Sequence, residues 1–294
     1  MKNPLDELSA EQRRVVDRAV NALKLVDGVR AVVLGGSFAS GRNRPNSDID
    51  LAIYYSESRP INITTIRSIA NDLSVIGPPT VSELYGWGAW VNGGSWMMTN
   101  AGRMDFLYRN IEQVERAIAD AHQGIVHHDF AQQPPLGFYS VTYLGETHVC
   151  VPLHDPNGVI ANFKHTVAIF PPAMKQAIVR DALASAEFTL ACMPKLVVAA
   201  DVYNVVPCIA RVLANLTHAI YALNERYFLS DKAIGADLVE FPVCPRDYFR
   251  RATNLLVDPG RTKEQLDQSR AWLRQIWLET IDLSGGHQLR FGVV

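Results

Sequence analysis

Two short motifs in this sequence could together bind a phosphorylated ligand and a metal ion. The first consists of Gly35, Gly36 and Ser37, which follow an apolar run at 29–34 with the character of a β-strand. Glycines let the backbone approach a ligand closely, and a helix that begins at such a turn directs its free N–H groups toward an anion. The serine hydroxyl adds a further donor. The motif therefore predicts a phosphate-binding turn, although Gly-Gly-Ser by itself is usually only a turn.

The second motif is a pair of carboxylates, Asp48 and Asp50, at the start of an alternating strand pattern over 48–55. Because one residue separates them, both side chains project from the same face of the strand, about 6–7 Å apart. Adjacent carboxylates repel each other, and a divalent cation such as Mg²⁺, which prefers hard oxygen ligands, relieves the repulsion. Asp105 lies among apolar residues of another strand pattern, at 103–108, where a charge is costly. The three carboxylates predict a site for two Mg²⁺ ions about 3.5–4 Å apart.

The order and spacing of these motifs resemble the signature of the polymerase-β-type nucleotidyltransferase superfamily. The matching residues read Gly-Gly-Ser-Phe-Ala-Ser-Gly and then Asn-Ser-Asp-Ile-Asp-Leu-Ala-Ile, and Asp105 fits the third carboxylate of the superfamily. Within it, the chain is most similar to the two-domain aminoglycoside and lincosamide nucleotidyltransferases of bacteria, whose second domain is helical. Residues 214–223 and 230–233 resemble, more loosely, the C-terminal helix and the lysine-bearing segment of the aminoglycoside adenylyltransferases.

This resemblance implies Mg²⁺-dependent transfer of a nucleoside monophosphate, most often AMP from ATP, to a hydroxyl of a small acceptor such as an antibiotic, with release of pyrophosphate. Asp48 and Asp50 would hold both Mg²⁺ ions, and Asp105 would bind the catalytic ion and act as the general base. A carboxylate of the helical domain could take the role of the base instead. The candidates in that domain are Asp181, Glu187 and Asp201.

The resemblance also assigns residues to the nucleotide. ATP or another nucleoside triphosphate would bind with its triphosphate at Gly35–Ser37. Arg42 or Arg44, in the loop that follows, would neutralise the phosphates, and Lys232 would contact them from the helical domain. Plain alternatives stay open for two of these residues, because Arg42 is equally typical of a solvated loop and Lys232 of a helix end.

Composition and charge narrow the class of protein. The 294 residues include 28 Lys and Arg and 30 Asp and Glu, for a net charge of −2, so the chain lacks the basic excess of proteins that hold long nucleic acid by its phosphates. No apolar run reaches the roughly 18 residues of a membrane span. The four cysteines have neither metal-knuckle nor disulfide-scaffold spacing, which is typical of reduced thiols in a cytoplasmic protein. We therefore expect a cytoplasmic protein without membrane or long nucleic-acid partners, of open oligomeric state.

Two other functions stay open from the sequence. A non-catalytic nucleotide-binding or antitoxin-type partner protein could keep the same fold, but such a protein would have no need of three carboxylates. A protein-modifying nucleotidyltransferase would need them. No motif specifies the acceptor or the base of the nucleotide.

Three further groups of residues contain side chains that could bind a ligand. The adjacent histidines at 127–129 would point to opposite sides of an extended segment, which favours a surface loop over a metal site. The His-x-Cys-x₃-His spacing at 148–154 could bind zinc, but no second cysteine lies near it. Several aromatic residues precede the strand that carries Asp105. They favour packing within the sheet over a pocket for a flat base or sugar, and both interpretations stay open. These aromatic residues are Tyr85, Trp87, Trp90 and Trp96.

The strand that carries Asp105 is expected to pair with the strand before it. A turn signal at 100–102 separates strand patterns at 95–99 and 103–108. Asn, Ala and Gly in such a short break are typical of a β-hairpin. The hairpin would therefore hold Asp105 on its second strand.

The helix and strand patterns around these residues predict an α+β fold. The order helix, strand, turn, helix, strand predicts a small mixed β-sheet nucleotidyltransferase domain with helices on one face, at 1–130. A segment rich in Gly and Pro predicts an irregular connection at 131–172. Long helical patterns at 173–294 predict a helical-bundle domain that closes over the substrate and the nucleotide.

Overall fold

The computed structural model describes residues 3–133, 135–288 and 290–291. The chain divides into two compact units, each built from two segments. The first unit comprises Met1–Asp120 and His127–Ile169, and the second comprises Ala121–Val126 and Phe170–Val294. The division of the sequence into domains at 130 and 172 stays a prediction.

The strands all lie in the first unit. They are β1 (Val29–Leu34), β2 (Ile49–Tyr55), β3 (Thr80–Val81), β4 (Gly94–Thr99), β5 (Gly102–Asn110), β6 (His128–Asp129), β7 (Phe138–Tyr139) and β8 (Val151–His154). Six of them form one sheet in the order β3-β4-β5-β2-β1-β8, and β6 pairs separately with β7. Strands β2 and β5 are parallel, while the other neighbours in the sheet are antiparallel. The sheet is therefore mixed, as predicted.

The helices fall in both units, with the longest in the second. They are α1 (Ala10–Leu23), α2 (Gly36–Ala39), α3 (Ile63–Leu73), α4 (Ile111–His122), α5 (Val141–Val149), α6 (Val159–Thr166), α7 (Pro172–Val198), α8 (Val202–Leu223), α9 (Ile234–Glu240), α10 (Tyr248–Val257) and α11 (Lys263–Ser284). Short 3₁₀ turns occur at Pro4–Glu7 and Asp231–Ala233. The α+β class is confirmed.

Every second residue of β2 and β5 lies in the core of the first unit. Ile49, Leu51 and Ile53 are fully buried, and so are Met104 and Phe106. These residues pack against the apolar stripes of α1 and α3. Since successive side chains of a strand point to opposite faces, the residues between them, which include the aspartates, lie on the other face of the sheet.

Helix ends follow the capping signals of the sequence. Ser9 and Gln12 form a capping box at α1, in which each side chain accepts a hydrogen bond from the other's backbone N–H. Thr262 and Gln265 form another at α11, which ends at Gly285 in the left-handed conformation.

The segment from 131 to 172 contains more regular structure than its composition indicates. Helices α5 and α6 lie within it, and β8 pairs with β1 at the edge of the sheet. These elements are short and separated by Gly and Pro. Periodicity over so few residues cannot distinguish them from loops, because a hydrophobic pattern needs a window of roughly 11–18 residues.

The second unit is a bundle in which α8 is the most deeply packed helix. Apolar residues of α7, α8, α10 and α11 form one buried cluster, with Trp277 fully buried in it. Among the described residues, α8 is the one helix that is long and apolar enough to cross a membrane. Of the 18-residue stretch of α8 that meets this criterion, 61% is buried inside the protein. The burial is typical of a core helix in a helical-bundle domain, which is the second half of the predicted fold.

Candidate active site

The parallel pairing of β2 and β5 aligns Asp50 with Asp105. Paired residues of neighbouring strands have their side chains on the same face, and the strands are about 4.8 Å apart. Their strand neighbours Ile49 and Met104 are fully buried in the core with α1 and α3. The two carboxylates therefore lie side by side on the opposite face, and each is half-buried.

A buried ion pair lies on the same face of the sheet, at the end away from Asp50 and Asp105. Arg109 on β5 is buried, and its Nε and Nη2 donate to the two carboxylate oxygens of Glu146 on α5, at 2.8 Å each. Burial alone would lower the pKa of Arg109, but the Glu146 carboxylate holds it above its ordinary value. Tyr54 on β2 is buried beside this pair. Helix α5 thus covers the Tyr54 and Arg109 end of the face, while the end with Asp50 and Asp105 keeps partial exposure.

Asp48 precedes β2 and lies against a cation from the neighbouring strand. Its Oδ2 is 3.7 Å from Nη1 of Arg103, which is two residues before Asp105 on β5. Both side chains are partly exposed, at 36% for Asp48 and 55% for Arg103, so water screens the pair. Arg103 is a member of this site that the sequence did not indicate.

The donor atoms of this site match Mg²⁺ in chemistry. Carboxylate oxygens are the protein ligands that this ion prefers, and Asp50 and Asp105 present them side by side. Across the described ranges, however, no group of three or more His, Cys, Asp or Glu side chains lies close enough to hold a metal ion. Asp48 instead has the guanidinium of Arg103 beside it. The two-ion site with all three carboxylates stays a prediction.

The Gly-Gly-Ser turn lies directly against Asp50. The N–H of Gly35 donates to the carbonyl of Asp50 at 2.9 Å, which ties the turn to β2. Gly36 has φ of +58°, and a Cβ atom there would lie 1.7 Å from Oδ2 of Asp50. Only glycine fits, because both the conformation and the contact exclude a side chain. A ligand held by the turn would lie next to the Asp50 carboxylate.

The loop after this turn folds back on Ser37. The carbonyl of Ser37 accepts hydrogen bonds from the N–H of Arg42 at 2.8 Å and from the hydroxyl of Ser40 at 3.2 Å. Arg44 and Ser47 form a local turn, in which the Arg44 N–H donates to the Ser47 hydroxyl at 2.8 Å. Both arginine side chains are exposed. Their contacts with phosphate stay predictions.

Lys232 belongs to the second unit. It lies in the 3₁₀ turn at Asp231–Ala233, where its N–H donates to the hydroxyl of Ser230 at 3.2 Å, and its side chain is exposed. Burial raises the pKa of the adjacent Asp231. The contact of Lys232 with a nucleotide stays a prediction.

Each alternative general base is engaged within the second unit. Asp181 accepts two hydrogen bonds from the exposed guanidinium of Arg180, at 2.7 and 3.0 Å. Asp201 caps the start of α8 by accepting from the N–H and the side chain of Asn204. Asp201 thus has a local structural role, and Asp181 has a local partner.

Glu187 is fully buried and holds the C-terminal segment. Its Oε1 accepts from the backbone N–H groups of Arg290 and Phe291, at 2.8 and 2.7 Å, and its Oε2 is 3.1 Å from Nε2 of His287. Burial alone would raise the pKa of Glu187, but these hydrogen bonds hold it below its usual value. A carboxylate so fully hydrogen-bonded is a poor proton acceptor, and the choice of Asp105 as the general base stays a prediction.

The histidines at 127–129 have separate partners. His127 Nε2 lies 2.8 Å from Asp120 Oδ2, while His128 stacks on Tyr139 and contacts the Leu136 carbonyl. Both side chains are exposed. The two rings therefore do not share a site, as the surface-loop interpretation predicts.

The His-x-Cys-x₃-His spacing is also divided between local contacts. His148 Nδ1 lies 3.2 Å from the carbonyl of Val167, and Cys150 is buried with its thiol donating to the carbonyl of Thr147. Burial raises the pKa of Cys150 to about 11, so the thiol is protonated at neutral pH. These contacts favour a structural role over a zinc site.

The aromatic residues separate into two groups. Trp90 packs with Phe138 and Tyr143, at centroid distances of 5.5 and 6.2 Å. Trp87 stacks instead on Trp96, with ring centroids 3.7 Å apart. Trp96 is the β4 residue paired with Asp105, so its side chain lies on the carboxylate face. The two-residue turn between Thr99 and Gly102 sets Trp96 opposite Asp105, a register that the predicted break at 100–102 did not specify.

Comparison with known proteins supports the same superfamily. Residues 18–83 match the family model of the polymerase beta nucleotidyltransferase domain. The match includes the Gly-Gly-Ser turn, Asp48 and Asp50, and it ends before Asp105. It supports nucleotidyl transfer in general as the chemistry of this segment.

Two further comparisons used the full sequence and the structure. No curated protein matches the sequence. Among solved structures, the chain is similar to a nucleotidyltransferase-like protein from Exiguobacterium sibiricum 255-15, with a TM-score of 0.46 and 10% sequence identity. The similarity covers 94% of this chain and 77% of that chain.

Proposed function

We propose that this protein is an Mg²⁺-dependent nucleotidyltransferase that moves a nucleoside monophosphate, most often AMP from ATP, to a hydroxyl of a small acceptor and releases pyrophosphate. The observation that carries the proposal is the alignment of Asp50 with Asp105, directly beside the Gly35–Ser37 turn. A phosphate-binding turn and two adjacent carboxylates are the parts that phosphoryl transfer requires.

The turn would bind the triphosphate. Backbone N–H groups at the start of α2 and the hydroxyl of Ser37 are hydrogen-bond donors suited to phosphate oxygens. Glycine at 36 lets the turn lie directly against Asp50, because a Cβ atom there would be 1.7 Å from Oδ2 of Asp50. Arg42, in the loop, and Lys232, in the second unit, would add positive charge.

Asp48, Asp50 and Asp105 would hold the metal. Mg²⁺ supplies charge stabilisation for the transferring phosphoryl group and lowers the pKa of a bound hydroxyl. Asp48 already lies beside a positive charge, the partly exposed guanidinium of Arg103. The carboxylate pair on β2 and β5 is therefore the centre of the proposed site.

Asp105 would accept the proton of the acceptor hydroxyl. It lies on the side of Asp50 away from β1 and the turn, in the strand order β4-β5-β2-β1. An acceptor that approaches along β4 would thus reach Asp105 before it reaches the triphosphate. The proton acceptor and the phosphate-binding turn would then lie on opposite sides of the reacting atoms, as an in-line displacement requires.

The test of this function is an acceptor screen with labelled ATP and GTP. The panel includes aminoglycosides, lincosamides, other hydroxylated small molecules and a mixture of bacterial proteins. We expect labelled product and pyrophosphate from at least one small acceptor, only with Mg²⁺ present. Asp48→Ala should reduce turnover about 100-fold without unfolding the protein, because one of three metal ligands is lost.

Four outcomes would contradict the proposal. Turnover that persists without divalent cations, or in Asp48→Ala at the wild-type rate, would remove the carboxylates from the chemistry. Nucleotide binding without transfer to any acceptor would favour a nucleotide-binding partner protein. Label found only on proteins would favour the protein-modifying alternative.

Lys232→Ala is expected to raise the KM for the nucleotide about 5- to 10-fold with little change in kcat, because a phosphate contact of this kind stabilises the bound substrate. The matched control is Lys195→Ala, which removes an exposed lysine at the end of α7. Initial rates at varied ATP would measure both variants. Equal KM values for the two would identify Lys232 as an ordinary surface lysine.

A further inference from the structure

Trp87 and Trp96 form a stacked pair of indoles beside the carboxylates, here called the indole platform. Their ring centroids are 3.7 Å apart and their planes differ by 28°. Both residues keep partial exposure. Large aromatic side chains bury most of their surface when they serve only the core, so a partly exposed pair next to polar residues points to a ligand.

The indole platform lies on the side of the carboxylates where we expect the acceptor, rather than on the side of the nucleotide. Across the sheet, Asp50 on β2 pairs with Asp105 on β5, and Asp105 pairs with Trp96 on β4. The Gly-Gly-Ser turn contacts Asp50 on the opposite side, with Gly36 against its carboxylate. A triphosphate at the turn and a ring at Trp96 would therefore flank the two carboxylates.

The backbone below the platform is held in place. Trp87 lies over Gly94 of β4, where a Cβ atom would be 3.0 Å from its ring and 2.1 Å from the carbonyl of Phe106. The N–H of Gly94 donates to the hydroxyl of Ser82 at 2.9 Å. Glycine at 94 thus makes the close approach of Trp87 possible.

The loop that carries Trp87 is fixed by a buried asparagine. Asn92 is fully buried, and its amide donates to the carbonyl of Ala89 and the side chain of Gln113, at 3.2 and 2.8 Å. Its Oδ1 accepts from the N–H of Asn110 at 3.0 Å, at the end of β5. A loop tied in this way is pre-organised, so a ligand does not have to order it on binding.

We propose that the indole platform binds a flat aromatic ring of the acceptor and so sets which hydroxyl compounds are substrates. This inference rests on the proposed function for its site, and it adds the class of acceptor. Trp87 covers one face of Trp96 with a stacked ring, and the exposed part of Trp96 would contact a third ring in the same manner. A hydroxyl attached to that ring would lie beside Asp105, the strand partner of Trp96.

The binding test compares two alcohols of similar size by saturation-transfer NMR, without nucleotide or Mg²⁺. Benzyl alcohol carries a flat ring, and cyclohexylmethanol carries a puckered one. We expect saturation transfer to benzyl alcohol from the wild-type protein, at least about 5-fold weaker from Trp96→Ala and largely retained by Trp96→Phe, given the usual contribution of a stacked ring. Trp272→Ala is the matched control, because Trp272 is 56% exposed on α11.

The kinetic test uses any acceptor found in the screen. Trp96→Ala should raise the KM for that acceptor about tenfold and leave the KM for ATP within about twofold. A merely structural role of Trp96 would change both constants, or the unfolding temperature, and would not be restored by Trp96→Phe.

The outcomes separate this inference from the proposed function. Transfer that proceeds with an unchanged acceptor KM in Trp96→Ala would overturn the platform and leave the function standing. Platform-dependent binding of benzyl alcohol without any transfer would overturn the function and leave the platform standing as a binding site. Equal signals from the two alcohols, or from wild type and Trp96→Ala, would show that no flat ring is recognised.

Discussion

Asp105→Asn is expected to reduce the rate of nucleotidyl transfer about 1,000-fold while the fold is retained. Asparagine keeps the shape of aspartate but cannot accept the proton of the acceptor hydroxyl, and loss of a general base typically costs about 10²–10⁴-fold. It also removes one of the two charges that the β2–β5 pairing brings side by side. Single-turnover rates with saturating nucleotide would measure the effect on the chemical step.

The stability of this variant should be at or above that of the wild type. Like charges on paired strand residues repel, so the neutral side chain removes an unfavourable interaction with Asp50 in the metal-free protein. Asp17→Asn, which changes an exposed aspartate on α1, is the matched control and should leave activity unchanged. Wild-type rates in Asp105→Asn would transfer the role of the base to another carboxylate.

Gly36→Ala is expected to lower transfer by about 100-fold or more. The new Cβ atom would lie 1.7 Å from Oδ2 of Asp50, a separation that no pair of atoms tolerates, so the carboxylate must move by more than an ångström. A displacement of that size at a reacting centre can cost about 10²-fold.

Gly36→Ala should also cost stability. The left-handed backbone costs an alanine about 1–2 kcal/mol. The Asp50 side chain must move as well, because the new Cβ atom would lie 1.7 Å from its Oδ2, 2.6 Å from its Cγ and 3.0 Å from its Cβ. Gly41→Ala shares that backbone cost, with φ of +68°, and has nothing within 4 Å of its Cβ. Equal losses of activity in the two variants would show that backbone strain, rather than displacement of Asp50, is responsible.

Most of the parts of this site were evident from the sequence. The alternation of residues 48–55 placed Asp50 on the face opposite the core, and the structure has Ile49, Leu51 and Ile53 fully buried on the other face. The short break at 100–102 predicted the β4–β5 hairpin, whereas its register, with Trp96 opposite Asp105, came from the structure. These features depend on interactions between near neighbours in the chain, which local patterns encode directly.

Other parts depended on contacts between distant segments. Arg103 lies at Asp48, and β8 pairs with β1, although neither contact has a pattern in the sequence. Glu187 had the residue type of a general base, but the structure shows its carboxylate bound to the backbone of the C-terminal segment. Such pairings come from the packing of the folded chain, and the periodicity of a single segment carries no record of them.

The sequence by itself determined which side chains we propose for the chemistry: a glycine turn without Cβ atoms, and carboxylates placed by strand alternation on a face away from the core. Only the tertiary structure decided that Asp105 lies beside Asp50. Strands β2 and β5 pair in parallel although β3 and β4 intervene in the chain, and the register of a parallel pair is set by the helices and strands packed around it. The distance between two carboxylates on such strands is therefore a property of the assembled sheet, because no single stretch of chain contains both.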